Sequence, residues 1–179
     1  MDHLRRYDDA VRDSLDAGTP VFRTLRTGRP VHGGGGIRPD VLAEADTTGY
    51  SAYYGALVRR GVFNDFAVAY LEKERSRLEK EYPAEELFLE NYCPDDALLR
   101  GLAAAGEERG VPFDEAGFAA SAARMRVQLK ALTAQRLFGT GAYYRVVNGA
   151  AADHSAYAQA LELLRHWEEL AVPILEEND

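Results

Sequence analysis

Residues 114–138 read DEAGFAASAARMRVQLKALTAQRLF. Phe118, Ala122, Met125, Leu129 and Leu132 recur at alternating spacings of four and three, the period of one face of an α-helix. Val127, Ala131, Ala134 and Phe138 repeat that pattern on a neighbouring face. A helix that is apolar on two faces is packed from two sides. Asp114 supplies a side-chain acceptor for the unpaired N–H groups at its start. The stretch therefore predicts a helix over about 115–138 and the architecture around it: a mainly α, multi-helix bundle built on a central helix.

Outward from this rod, residues 51–60 and 62–81 read as two helices broken near Gly61. In the second, Phe63, Phe66, Ala67, Tyr70, Leu71 and Leu78 share one face, and Glu72/Arg75 and Glu74/Arg77 mark a solvated far end. Pro83 stops it. A short helix at 84–91 and another at 95–109 follow, the latter ending at Gly110 with Pro112 beyond. On the other side of the rod, Asp153 is placed to cap a last helix over about 154–170, which presents Tyr157, Leu161, Leu164 and Trp167 inward until Pro173 stops it.

The N-terminal part has a different texture. Leu4, Tyr7, Val11 and Leu15 form one narrow stripe of a surface helix over residues 1–17, ended by Gly18 and Pro20. Val21 to Arg26 then reads as a strand, Thr27-Gly28 as a turn, and Arg29 to His32 as a second strand, before Gly33, Gly34, Gly35 and Gly36. A lone hairpin is marginal in water, so this short N-terminal β-hairpin appendage needs a partner sheet. The expected division is residues 1–46, a helix plus hairpin and glycine-rich loop, and residues 47–179, a helical C-terminal domain of the six- or seven-helix bundle.

Composition removes several classes of function. The 179 residues carry 21 Lys+Arg against 29 Asp+Glu, a net charge of −8, which disfavours sequence-independent nucleic-acid binding and anionic membrane surfaces. No apolar run approaches the roughly 18 residues of a membrane span. Met1 to Arg6 is polar, so no signal peptide is expected. The single cysteine excludes an intramolecular disulfide and a cysteine metal cluster. Cys93, preceding Pro94, reads as an ordinary buried thiol. The four histidines are scattered, and His154 and His166 are about 18 Å apart along one predicted helix. Neither a metal nor a cofactor site is expected.

The sharpest local feature is His32-Gly33-Gly34-Gly35-Gly36. An HGGG run supplies oxyanion-hole donors in lipases and esterases, but that chemistry needs a Gly-x-Ser-x-Gly elbow. The nearest approach, Gly49-Tyr50-Ser51-Ala52-Tyr53, lacks the second glycine. The run is read instead as a structural loop requiring φ > 0 or close backbone approach. A Ser/Lys dyad is also missing: no Ser-x-x-Lys occurs, and Ser76 and Lys80 lie on the charged end of a solvated helix. Paired carboxylates such as Asp95-Asp96 and Glu85-Glu86 stand at helix starts, where capping explains them. No catalytic residue is assigned.

The stretch Thr24 to Val41, with Gly28-Arg29-Pro30-Val31-His32-Gly33-Gly34-Gly35-Gly36-Ile37-Arg38-Pro39-Asp40 at its centre, resembles the strand pair that closes the catalytic core of the C-terminal processing peptidases, or tail-specific proteases. Asp46 to Tyr50, Tyr53 to Arg59, Gln128 to Ala134, Gly141 to Asn148 and Ala160 to Leu164 resemble the helical tail of that family's long-tailed bacterial branch. The family cleaves peptide bonds with a serine nucleophile and a lysine base, beside a PDZ domain. Both catalytic residues precede the matched segment, so none carries over. The resemblance implies a non-catalytic C-terminal part of such an enzyme, partnered by the parent's catalytic core and PDZ domain and its polypeptide substrates, with a possible homo-oligomer. It also implies a periplasmic or envelope location. The alternatives are a free-standing helical module that binds a polypeptide through an apolar groove, and an enzyme whose site follows no motif.

Overall fold

In the computed structural model, which describes residues 20–25, 28, 30–33, 47, 49–150 and 156–168, the chain is mainly α. Two strands, β1 (Val21–Arg23) and β2 (Pro30–His32), precede α1 (Ala52–Arg59), α2 (Val62–Glu81), α3 (Glu85–Asn91) and α4 (Asp96–Glu108). The long rod α5 (Glu115–Phe138), α6 (Thr140–Gly149) and α7 (Ala156–Arg165) complete the order. Five helices, α1 to α5, fall where periodicity and end signals place them. The predicted helix over 1–17, the cap Asp153, and Gly34, Gly35 and Gly36 lie outside the described residues.

The chain divides into two compact units, Ala45–Tyr157 being one and Met1–Glu44 with Ala158–Asp179 the other. In the first, both apolar faces of α5 are used. Met125, Leu129 and Leu132 pack with Leu57 of α1, Phe63 and Ala67 of α2, and Leu99 and Leu102 of α4, with Phe118 and Ala122 partly buried alongside. Ala131 and Ala134 pack with Leu71 and Leu78 of α2, Phe88 of α3, Tyr92, and Ala142 and Val146 of α6, with Val127 and Phe138 at the margin. The two rows read from the sequence thus enter two separate clusters. Helix α2 serves both, its first half in one and its second half in the other.

Local chemistry sets the helix ends. The Asp114 carboxylate accepts from the Gly117 N–H at 3.1 Å, and Asp95 from the Leu98 N–H at 2.7 Å, each pairing one of the free donors of a first turn. Gly61 starts α2 at φ +70°, and Gly139 separates α5 from α6 at φ +96°, conformations that favour glycine. Gly141 to Asn148 entered the sequence analysis only through the resemblance to a helical tail; periodicity did not place helix α6. It carries two glycines, two adjacent tyrosines and two adjacent valines, a poor set of helix formers. Its two buried residues, Ala142 and Val146, pack with alanines of α5, and that burial overrides propensity.

In the second unit, β1 and β2 pair antiparallel with Phe22 opposite Val31. The Gly28 turn (φ +74°) is held by Arg23 Nη1, which donates to the Gly28 carbonyl at 2.7 Å. Helix α7 corrects an expectation: Tyr157, Leu164 and Trp167 are exposed, and none of its described residues is buried. The stripe is amphipathic as read, but periodicity reports only that a face is apolar, not that another element covers it.

Candidate functional site

The connector between α3 and α4 is extended backbone, so its side chains alternate sides. Tyr92 and Pro94 turn inward and are buried, while Cys93 and Asp95 turn outward and are exposed. The expected buried thiol is therefore an exposed one. The period-two alternation decides it, because Pro94 occupies the inward position beside it.

Beside the connector, Phe66, Tyr70, Glu74 and Arg77 follow one another at spacings of four, four and three along α2. They flank the fully buried stripe of Phe63, Ala67, Leu71 and Leu78 and are only partly buried or exposed. With Leu98 and Gly101 of α4, and with Tyr82 and the connector, they line a half-open cleft of about 460 Å³. Gly101 keeps one wall bare, since a Cβ there would stand 3.1 Å from the Phe66 ring.

Four of its polar residues, Tyr92, Tyr70, Arg77 and Glu74, form one chain. The Tyr92 hydroxyl donates to the Tyr70 hydroxyl at 3.3 Å, and Arg77 Nη2 approaches the same oxygen at 3.4 Å. Arg77 Nε donates to Glu74 at 2.6 Å and Nη1 to Glu81 at 2.7 Å, so the guanidinium is clamped between two carboxylates. Burial above all, and then the hydrogen bond to Tyr70, push the Tyr92 phenol far above its ordinary range. Tyr92 is further fixed by stacking on Phe88, centroids 4.5 Å apart, and by an edge contact with Tyr82 at 5.8 Å.

Lys130 of α5 donates to the Leu89 carbonyl at 2.6 Å, tying α5 to α3. Burial lowers its pKa, with the Cys93 thiol opposing the shift. The arrangement suits binding better than proton transfer: burial pushes the Tyr82 and Tyr92 phenols upward, away from ordinary pH, and the lining guanidinium is already paired.

Sequence reasoning missed this cleft because it read Phe66 and Tyr70 only as members of one apolar face of α2, and a shared face does not say which of its residues are covered. The available signal was an aromatic pair four apart, followed at the next turn by a carboxylate and an arginine. The residues it did single out lie elsewhere. Gly33 donates its N–H to the Pro20 carbonyl at 2.9 Å, and a Cβ there would meet the Phe22 ring at 2.7 Å. Close approach, rather than φ > 0, therefore explains this glycine. Ser76 and Lys80 are both exposed on α2. Among the described residues, no group of three or more His, Cys, Asp or Glu is placed to hold a metal ion. No helix among them is long and apolar enough to cross a membrane.

Every residue that lines the cleft falls within one matched segment of chain. Residues 53–139 match the model of a family of unknown function, DUF8443. That segment runs from the second residue of α1 through the end of α5 and includes Gly139, the break before α6. No curated protein and no solved structure matches the chain.

Proposed function

We propose that this chain is a non-catalytic, helical C-terminal part of a C-terminal processing, or tail-specific, serine endopeptidase, and that it packs on the catalytic core, gates substrate or assembles subunits. The observation that carries the reading is the hairpin. Its strands are three residues each, and Val21, Phe22 and Val31 are 58%, 56% and 39% exposed. So short a pair buries too little apolar surface to be stable by itself, and open strand edges seek partners. The sequence around it, Gly28 to Asp40, resembles the strand pair that ends the core sheet of those peptidases. The partners are then that core and its PDZ domain, the polypeptide substrates of the parent enzyme and a possible second copy of the chain, and the place of action is the periplasm or envelope.

Amide hydrogen exchange tests it. In the chain alone, held monomeric as checked by light scattering, the amides of Val21, Phe22, Arg23, Val31 and His32 should exchange at nearly unprotected rates. Slow exchange in that monomer would overturn the proposal. The reading frame upstream of the Met1 codon supplies an independent test. A PDZ-like segment, a serine nucleophile and a Phe-Gly-Lys-Gly lysine are expected there, and an in-frame stop behind a ribosome-binding site would refute the proposal.

A further inference from the structure

We infer that the cleft between α2, the α3–α4 connector and α4 is a docking site for one basic side chain, arginine or lysine, of a partner polypeptide. The inference rests on the cleft alone and stands whether or not the chain belongs to a peptidase.

Three features select a cation. The cleft is lined by the partly buried aromatic residues Phe66, Tyr70 and Tyr82, with the buried Tyr92 beneath them, and aromatic faces attract ammonium and guanidinium groups. Its lining carries two carboxylates, Glu74 and Asp95, against one guanidinium, Arg77. Arg77 is occupied by Glu74 and by Glu81, so it has little left to offer an anion. Asp95 spends one oxygen on the Leu98 N–H, and a carboxylate retains further acceptor sites. Two other cations close to the connector are engaged as well: Arg126 donates to the Pro94 carbonyl at 3.2 Å and pairs with Asp96, while Lys130 holds the Leu89 carbonyl.

The shape selects a side chain over a free amine. Small-molecule sites enclose roughly 70–90% of their ligand, whereas this cleft of about 460 Å³ is half-open. A lysine or arginine stem would lie along Phe66 and Leu98 with its charged head at the rim carboxylates, the usual division of an amphipathic side chain. The flanking peptide would supply contacts beyond the cleft that a free amine lacks.

The test is a ¹H–¹⁵N NMR titration of the full chain with acetyl-Gly-Arg-Gly-amide and its lysine counterpart. Matched peptides carrying norleucine or glutamate, and free methylguanidine and butylamine, serve as comparisons. The basic peptides should shift the amides of Tyr70, Tyr92, Leu98 and Gly101 and saturate with a Kd of about 1 mM, ordinary for a single side chain. The norleucine peptide and the free cations should bind at least about fivefold more weakly, the equivalent of losing one modest charge contact.

Glu74→Gln with Asp95→Asn should weaken the basic peptides by a similar factor while leaving the melting temperature unchanged. The glutamine amide keeps an acceptor for Arg77, and asparagine caps a helix as well as aspartate does. Ala97→Trp, at an exposed lining position, should block the cleft without entering the core. Equal binding of the norleucine or glutamate peptide would overturn the inference. So would free amines that bind as tightly as the peptides, affinity untouched by both variants, or an absence of shifts in the cleft.

Discussion

Gly117 shows how one position can reverse a general rule. Alanine normally stabilises a helix interior by about 1 kcal/mol over glycine. Here a Cβ would stand 2.5 Å from Asp114 Oδ2 and 2.7 Å from the Tyr53 Cβ, displacing the capping carboxylate as well as crowding the core. Overpacking costs about 1–3 kcal/mol, so sterics win, and Gly117→Ala should lower stability by about that amount in urea melts. At Gly55 of α1 the close neighbour is the far end of the Arg59 side chain, at 3.0 Å, which is free to swing away. Gly55→Ala should raise stability by about 0.5–1 kcal/mol. Tyr92 carries a pH prediction. Its raised phenol pKa means that above about pH 10 the unfolded chain ionises while the folded one does not. Its contribution is complete below the ordinary phenol pKa and is lost as pH rises past it. Melting temperature should fall between about pH 10 and 12, and the fall should be shallower in Tyr92→Phe; an unchanged slope in that variant would contradict the assignment.

At the scale of elements, α1 and α5 are joined through one hydroxyl. Ser51 Oγ accepts from the Tyr54 N–H at 3.0 Å and from Ser121 Oγ at 2.7 Å, and donates to the Gly117 carbonyl at 3.0 Å. All three hydrogen-bonding positions of the hydroxyl are thereby used. Ser51→Ala removes a helix cap and strands the fully buried Ser121, for an expected loss of about 2 kcal/mol. Ser121→Ala deletes one bond and should cost about 1 kcal/mol. The double variant should lose less than the sum, and strict additivity in denaturant melts would show that the two hydroxyls are not coupled. The N-caps Asp95 and Asp114 were legible in the sequence because a cap is local. The Ser51–Ser121 link was not, because its members are 70 residues apart.

For the molecule as a whole, the two apolar clusters lie within Ala45–Tyr157. A fragment of residues 45–157 should therefore fold by itself with a single cooperative melt within about 5 °C of the full chain, a shift equivalent to about 1–2 kcal/mol for a domain this size. Loss of helical circular dichroism in the fragment would show that the remaining segments are needed for the bundle. Surface ion pairs contribute little to the expectation. Arg75–Glu79, Arg77–Glu74 and Arg77–Glu81 all lie on the solvated end of α2, where each is worth at most about 1 kcal/mol.

The sequence by itself determined the mainly α class, the five helices from α1 to α5, the caps Asp95 and Asp114, the breaks between helices, and the assignment of the α5 rows to two separate contacts. These follow from 3.6-residue periodicity and from side chains that act within a turn or two of their own backbone. Tertiary structure alone decided that α6 packs on α5, that Cys93 faces water, that Tyr157, Leu164 and Trp167 are exposed, and that Phe66 and Tyr70, at the margins of the two clusters, also border a cleft. Each of these depends on which distant residues occupy the space beside an element. A pattern along the chain records that a face is apolar, but only the packing of other elements determines whether that face is buried, bare or left as a site.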